Sequence, residues 1–214
     1  GSSEWGDFEG LIDDVAVWDT AIDAQQVSAL FSGTSPSLLA GYDELLGLDL
    51  GNAFQNQDKT SAYVRLPFTV SGSNSFDALR LSMQYDDAFV AYINGTEAAR
   101  AGVTGAPQWN SVADADRPDR EVLTPVEFSI ANLPGMLVDG DNILAIQMLN
   151  AGTATRALVL PQLEATPSLH QANALYQVLD DLAAPTISLI EAGAAARAIV
   201  PSDDSLGTSW RGGN

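Results

Sequence analysis

The sequence has no cysteine and only one histidine and one lysine among its 214 residues. Without cysteine there is no disulfide framework, no thiolate metal site and no thiol nucleophile. The single histidine, His170, is far in sequence from any glycine-flanked serine, so a nucleophilic triad has no base to build on. It reads instead as a surface residue of a helix. Positive charge is scarce, with 9 basic residues against 28 acidic ones and a formal charge of -19. That balance repels nucleic-acid phosphates and anionic headgroups and argues against DNA, RNA and membrane surfaces as partners. No run of about 18 apolar residues occurs, and the N-terminus lacks the charged-then-apolar layout of a secretory leader. The bland reading of so acidic a surface is solubility in a saline habitat, and such surfaces also gather divalent cations.

What the chain does have is apolar content, 46% by the usual count, enough to fill a core. Residues 63–70 alternate, with Val64, Leu66, Phe68 and Val70 on one face and Tyr63, Arg65, Pro67 and Thr69 on the other, which predicts a half-buried strand. Pro67 points to an edge or a bulge. Residues 77–85 repeat the pattern, with Leu79, Leu81, Met83 and Tyr85 inward. A strand over 89–93 runs into Asn94-Gly95, the dipeptide of a type I′ turn, and then into a strand over 96–100. Further strands are expected at 125–131, at 142–149 after a Gly140-Asp141 turn, and at 156–163. Short strands separated by turns predict a mainly β protein, an antiparallel jelly-roll β-sandwich with short flanking helices. Its expected core is Leu66, Phe68, Leu79, Leu81, Met83, Phe89, Ile93, Phe128, Leu144 and Ile146.

The flanks differ in pattern. Residues 11–18 are apolar on both faces, and Asp23 with Gln26 forms a capping box for a short helix carrying Ile22, Val27, Leu30 and Phe31 and ending at Gly33. Ala172, Leu175, Tyr176, Leu179 and Leu182 follow helical spacing up to Pro185.

Three segments resemble known families. GLIDDVAVWDTAIDAQQVSALFSG, residues 10–33, resembles the closing strand and helix of laminin-G-like, concanavalin-type lectin domains. LRLSMQYDDAFVAYINGTEAAR, residues 79–100, with VDGDNILAIQMLN, residues 138–150, looks like the two recurring pieces of galactose-binding-like sandwiches appended to exported bacterial proteins. AIVPSDDSLGTSWRGGN, residues 198–214, resembles the opening of another such module. These likenesses imply a remnant of a lectin domain over 1–33, a linker over 34–48, a galactose-binding-like sandwich over 49–166, a helix or linker over 167–184 and a further module from 185 to 214. They imply secretion or a cell-surface place within a longer polypeptide, whose neighbouring modules would be partners. The sandwich class hosts sugar binders, spacers and docking modules alike, and the implied function is non-catalytic. A carbohydrate-binding or adhesion module and a passive structural spacer or protein-docking module are the two readings.

Candidate chemistry follows from residue types. Carboxylate pairs occur at Asp13/Asp14, Asp86/Asp87, Asp180/Asp181 and Asp203/Asp204, as chance predicts in so acidic a chain. Asp86 and Asp87 are the pair to watch, as a structural turn or as ligands for calcium or sugar hydroxyls; calcium would need further oxygens, and Asp114, Asp116 and Asp119 lie in the long loop of residues 102–120. Glycan recognition combines an aromatic platform with a few planar polar groups, which selects Tyr85, Tyr92, Asn94, Trp109, Asn110 and Arg117 alongside Asp86 and Asp87. The opposing reading is that Trp109 pins its own loop to the sheet. Asn94-Gly95-Thr96 also matches a glycosylation sequon, which the hairpin turn fully explains.

Overall fold

The structure, a computed structural model, describes residues 24–32, 59–131, 134–152, 158–168 and 186–212. The chain divides into two units, Gly1–Glu44 and Leu45–Asn214. In the first, helix α1 (Ala24–Phe31) forms where the sequence predicts it. Its Phe31 is 94% exposed and Val27 half-exposed. The capping Asp23, the strand expected over 11–18 with Trp18, the linker, His170 and the helix expected after it lie outside the described residues, as do Asp13/Asp14 and Asp180/Asp181.

The second unit is a sandwich of two antiparallel sheets. One has the order β4 (Thr96–Ala101), β3 (Ala88–Ile93), β6 (Gly140–Leu149), β1 (Ser61–Val70), β9 (Arg197–Ile199). The other has the order β5 (Val126–Ala131), β2 (Phe76–Tyr85), β7 (Val159–Pro167), β8 (Ile187–Ile190). A single helical turn, α2 (Asp119–Val122), closes the long loop before β5.

The alternation read from the sequence is what joins the sheets. Val64, Leu66, Phe68 and Val70 of β1, Phe89, Ala91 and Ile93 of β3, and Leu144 and Ile146 of β6 face Leu79, Leu81 and Met83 of β2, Ile130 of β5 and Leu163 and Ala165 of β7 in one buried cluster. Phe128 packs against it partly exposed, edge-on to Phe89 at 5.3 Å between ring centroids. Burying each large side chain of this kind contributes about 1.5–3 kcal/mol, so this layer is the main source of the fold's stability. Asn94 (φ 48) and Gly95 (φ 87) make the expected positive-φ turn between β3 and β4.

Strand ends depart from expectation where pairing overrides local pattern. β6 begins at Gly140 because Gly140 and Asp141 pair with Val70 and Thr69. β7 starts at Val159 and extends to Pro167, in register with β2, which sets its ends. Pro67 does lie where no strand pairs on one side: β9 spans only Tyr63 to Arg65 of β1, so the missing N–H of Pro67 leaves no ladder bond unmade there.

The largest correction concerns residues 185–214. Their described part does not open a separate body. β8 pairs with β7, β9 pairs with β1, and Trp210 is buried against Tyr63, Val90, Tyr92, Ala145 and Leu149 on the outer face of the five-stranded sheet. That face was expected to be solvent-exposed at Tyr63. Instead the long loop covers one end through Val103, Ala113 and the partly buried Trp109, and the C-terminal segment covers the rest through Leu206 and Trp210.

Candidate functional site

The eight residues selected from the sequence separate into two groups at opposite ends of β3. Asp87 precedes the strand and Asn94 follows it; six residues of strand between them put the groups on the order of 20 Å apart. The fold does not bring the two groups together.

At the first end the long loop is fastened to the sheet by side chains from the start of β1, from β6 and from the β2–β3 turn. The hydroxyl of Ser61 donates to the carbonyl of Trp109, and that of Thr60 to the carbonyls of Asn110 (3.2 Å) and Ser111 (2.9 Å). The amide of Gln147 donates to the carbonyl of Gln108 (2.7 Å). Asp87 is buried with φ 59, and its two carboxylate oxygens accept the backbone N–H groups of Arg117 (2.9 Å) and Ala151 (2.6 Å). A short polar side chain tolerates this left-handed geometry and an ionised one makes strong bonds to N–H groups, which is why an aspartate suits the corner.

Arg117 is engaged as fully. Its guanidinium lies 3.9 Å from the centroid of the Tyr85 ring and donates to the carbonyls of Tyr85 (3.2 Å) and Glu121 (2.9 Å). Tyr85 in turn packs edge-on against Phe89. Asp86 is buried beside them, its backbone N–H bonded to the carbonyl of Leu158. The Asp86/Asp87 pair is therefore first a structural corner, and calcium at Asp87 would compete with two backbone donors. Asp114 accepts from the Thr104 hydroxyl at 3.4 Å, and among the described residues no three acidic or histidine side chains converge as a metal site.

Trp109 sits at this same end. Ser61, Leu149 and Ala88 form one row across β1, β6 and β3, so the Trp109 carbonyl is anchored about 10 Å, two strand spacings, from the strand that follows Asp87. Its ring packs partly buried on the outer face, Asn110 beside it is exposed, and Val112 is half-exposed.

At the other end Asn94 is a hub. Its amide donates to the carbonyl of Met136 (2.9 Å) and to Oδ1 of Asn142 (2.7 Å), while its Oδ1 accepts from the N–H of Ile143 (2.9 Å). Tyr92 is buried, edge-on to Trp210 at 5.5 Å, with the Arg211 guanidinium 4.6 Å from its ring centroid. Tyr63 stacks flat on Trp210 at 4.0 Å and 6°. Burial pushes both phenols above their ordinary range, against a smaller downward pull from Arg211.

Sequence reasoning missed Tyr63, Arg65, Trp210 and Arg211 as one constellation. The outward place of Tyr63 and Arg65 on β1 was visible; the tryptophan that covers them lies almost 150 residues away, and its segment resembled the start of something else.

No protein-family model matches the chain, and no curated protein sequence matches it. Among solved structures it is similar to an α-L-rhamnosidase from Streptomyces avermitilis complexed with L-rhamnose, at 16% identity and TM-score 0.43 over 72% of this chain. It is also similar to native α-L-rhamnosidase from Aspergillus terreus, at 12% identity and TM-score 0.36 over 62% of this chain, and to the apo lectin of Pleurotus ostreatus, at 16% and 0.36 over 71%. The chain spans 11% of the first of these, 14% of the second and 38% of the lectin.

Proposed function

We propose that the sandwich is a non-catalytic glycan-binding or adhesion module of the galactose-binding-like kind, exported as part of a longer polypeptide, with its contact surface on the loop bearing Trp109 and Asn110. The observation that carries this reading is the fastening of that loop. A connection this long between strands is usually either mobile or functional. Here Thr60, Ser61, Asp87 and Gln147 all hold its backbone, which sets Trp109 and Asn110 in one geometry before any ligand arrives. Pre-ordering lowers the entropic cost of binding, and an indole beside a side-chain amide suits a sugar's apolar face and its hydroxyl groups.

The second reading, a spacer or docking module, is favoured by a different observation. Asp87, Arg117, Tyr92 and Asn94 are all engaged within the fold. A glycan array probed with the full chain and with Trp109→Ala separates the two. Binding that is lost in the variant supports the glycan module, whereas no binding by either protein leaves the spacer. A parallel calcium titration of the full chain and Asp86→Ala tests whether a cation takes part; retention of sugar binding in chelator sets calcium aside.

A further inference from the structure

Arg65 and Arg211 meet at the C-terminal segment with donors left over. Arg65 projects from the outer face of β1, opposite Ala145, which in turn is opposite Tyr92. Its Nη2 donates to the carbonyl of Gly212 at 2.9 Å, the residue next to Arg211. Arg211 lies over Tyr92 at 4.6 Å and beside Trp210 at 5.3 Å. Arg65 thus holds the backbone carbonyl that follows Arg211. The Nε–H of each is buried and has no acceptor. Neither arginine has a carboxylate partner among the described residues.

The two arginines sit in a strongly acidic chain. Acidic residues outnumber basic ones 28 to 9, so a cation without a carboxylate runs against the composition. Arg80 on the other sheet pairs with Glu127 and Glu164, and Arg100 grips Glu97 through two bonds of 2.6 Å, whereas Arg197, opposite Arg65 on β9, has no ion pair among the described residues and adds a third positive charge beside Arg65. Glu97, whose field reaches Arg211, is held by that grip, and its carboxyl is kept below the usual range chiefly by the Arg100 bonds. It is not available to turn toward Arg211 without leaving Arg100. Asp204 is the other acid near this face, felt at Tyr63.

We propose that Arg65 and Arg211 form a binding site for a carboxylate carried by a small ligand, separate from the Trp109 loop and independent of the reading above. An arginine presents Nε–H and one Nη–H as a parallel pair of donors that matches the two oxygens of a carboxylate. The contacts of Arg211 with the Tyr92 and Trp210 rings restrain its guanidinium, and the bond to Gly212 restrains that of Arg65. A site of this kind selects an acidic saccharide over its neutral counterpart, since the neutral hydroxymethyl group offers neither the charge nor the second acceptor.

The test is a titration of the full ¹⁵N-labelled chain with sodium galacturonate, followed at the arginine Nε–H resonances, with sodium acetate, galactose and sodium chloride at matched ionic strength as the other arms. Saturable movement of the Arg65 and Arg211 signals by galacturonate and acetate, with galactose and chloride inert, is the expected result. Arg211→Gln and Arg65→Gln should each weaken binding by roughly tenfold or more. Arg211→Lys, which keeps the charge but not the fork, should weaken it too. Equal, unsaturating shifts with chloride would mean screening alone and would overturn the proposal, as would equal response to galactose. The wild-type arms decide the question even if a variant fails to fold.

Discussion

Replacing Asp87 tests the claim that it is a structural corner. Its two carboxylate oxygens accept backbone N–H groups at 2.9 and 2.6 Å, from Arg117 and Ala151. Bonds to a charged acceptor are worth roughly 1.5–3 kcal/mol each. Both donors belong to residues that are only partly buried, so water can reach them after the loss, and the lower end applies: about 3 kcal/mol for the pair. The backbone at φ 59 adds a second cost, about 1 kcal/mol, for a residue such as alanine that lacks the local hydrogen bonding of aspartate, and glycine avoids it. Asp87→Ala should therefore destabilise by about 4 kcal/mol and Asp87→Gly by about 3. Asp87→Asn keeps one acceptor and turns an amide N–H toward a backbone N–H, for about 2 kcal/mol. Urea unfolding gives the comparison through shifts in midpoint at unchanged slope. A glycine variant within about 0.5 kcal/mol of wild type, or one less stable than the alanine variant, would refute the account.

Other substitutions probe other parts of the same frame. A Cβ at Gly102, where φ is +69, would fall 2.6 Å from the Asp87 carbonyl oxygen and 2.8 Å from the Ala88 Cβ, so Gly102→Ala should cost about 2–4 kcal/mol in the same assay. Trp210→Ala removes the Tyr63 stack and should cost about 3–5 kcal/mol while abolishing the near-ultraviolet dichroism of that pair. Asp139 accepts the backbone N–H of Ser73 at 2.6 Å, and that bond lowers its carboxyl below the ordinary value. With the folded value depressed, its contribution is present above the unfolded value and is lost as pH falls through the folded one. The urea midpoints of wild type and Asp139→Asn should therefore differ at neutral pH and converge in acid; a constant gap would contradict the assignment.

The layered core was legible because burial leaves a local trace. Leu79, Leu81 and Met83 alternate with Arg80 and Ser82, and one residue of slip would expose all three apolar groups. The Asn94-Gly95 turn was legible for a similar reason, since few residues accept its backbone angles. The partners of Asn94 were not, because Met136, Asn142 and Ile143 reach it only through strand pairing. Asp87 shows the limit most clearly. A carboxylate that bonds Ala151 has the same local sequence as one that binds a cation, and only the fold distinguishes them. The outer face misled for the opposite reason: Tyr92 looks like a platform residue and Tyr63 like an outward-facing one, and Trp210 from far along the chain already covers both.

That late cover bears on how the protein is made. β1 lies between β6 and β9, so Ser61 waits for Leu149 on one side, and the other side of Tyr63 waits for Ile199. With residues emerging from the ribosome at about 5–20 per second, β1 stands without β6 for on the order of ten seconds. During that interval it offers a bare row of backbone donors and acceptors beside Leu66 and Phe68, and any other nascent copy offers the same row. High contact order slows closure further even once the chain is complete. Aggregation during synthesis, rather than weakness of the finished sandwich, is then the hazard that this topology sets, and the acidic surface that keeps nascent chains apart is matched to it.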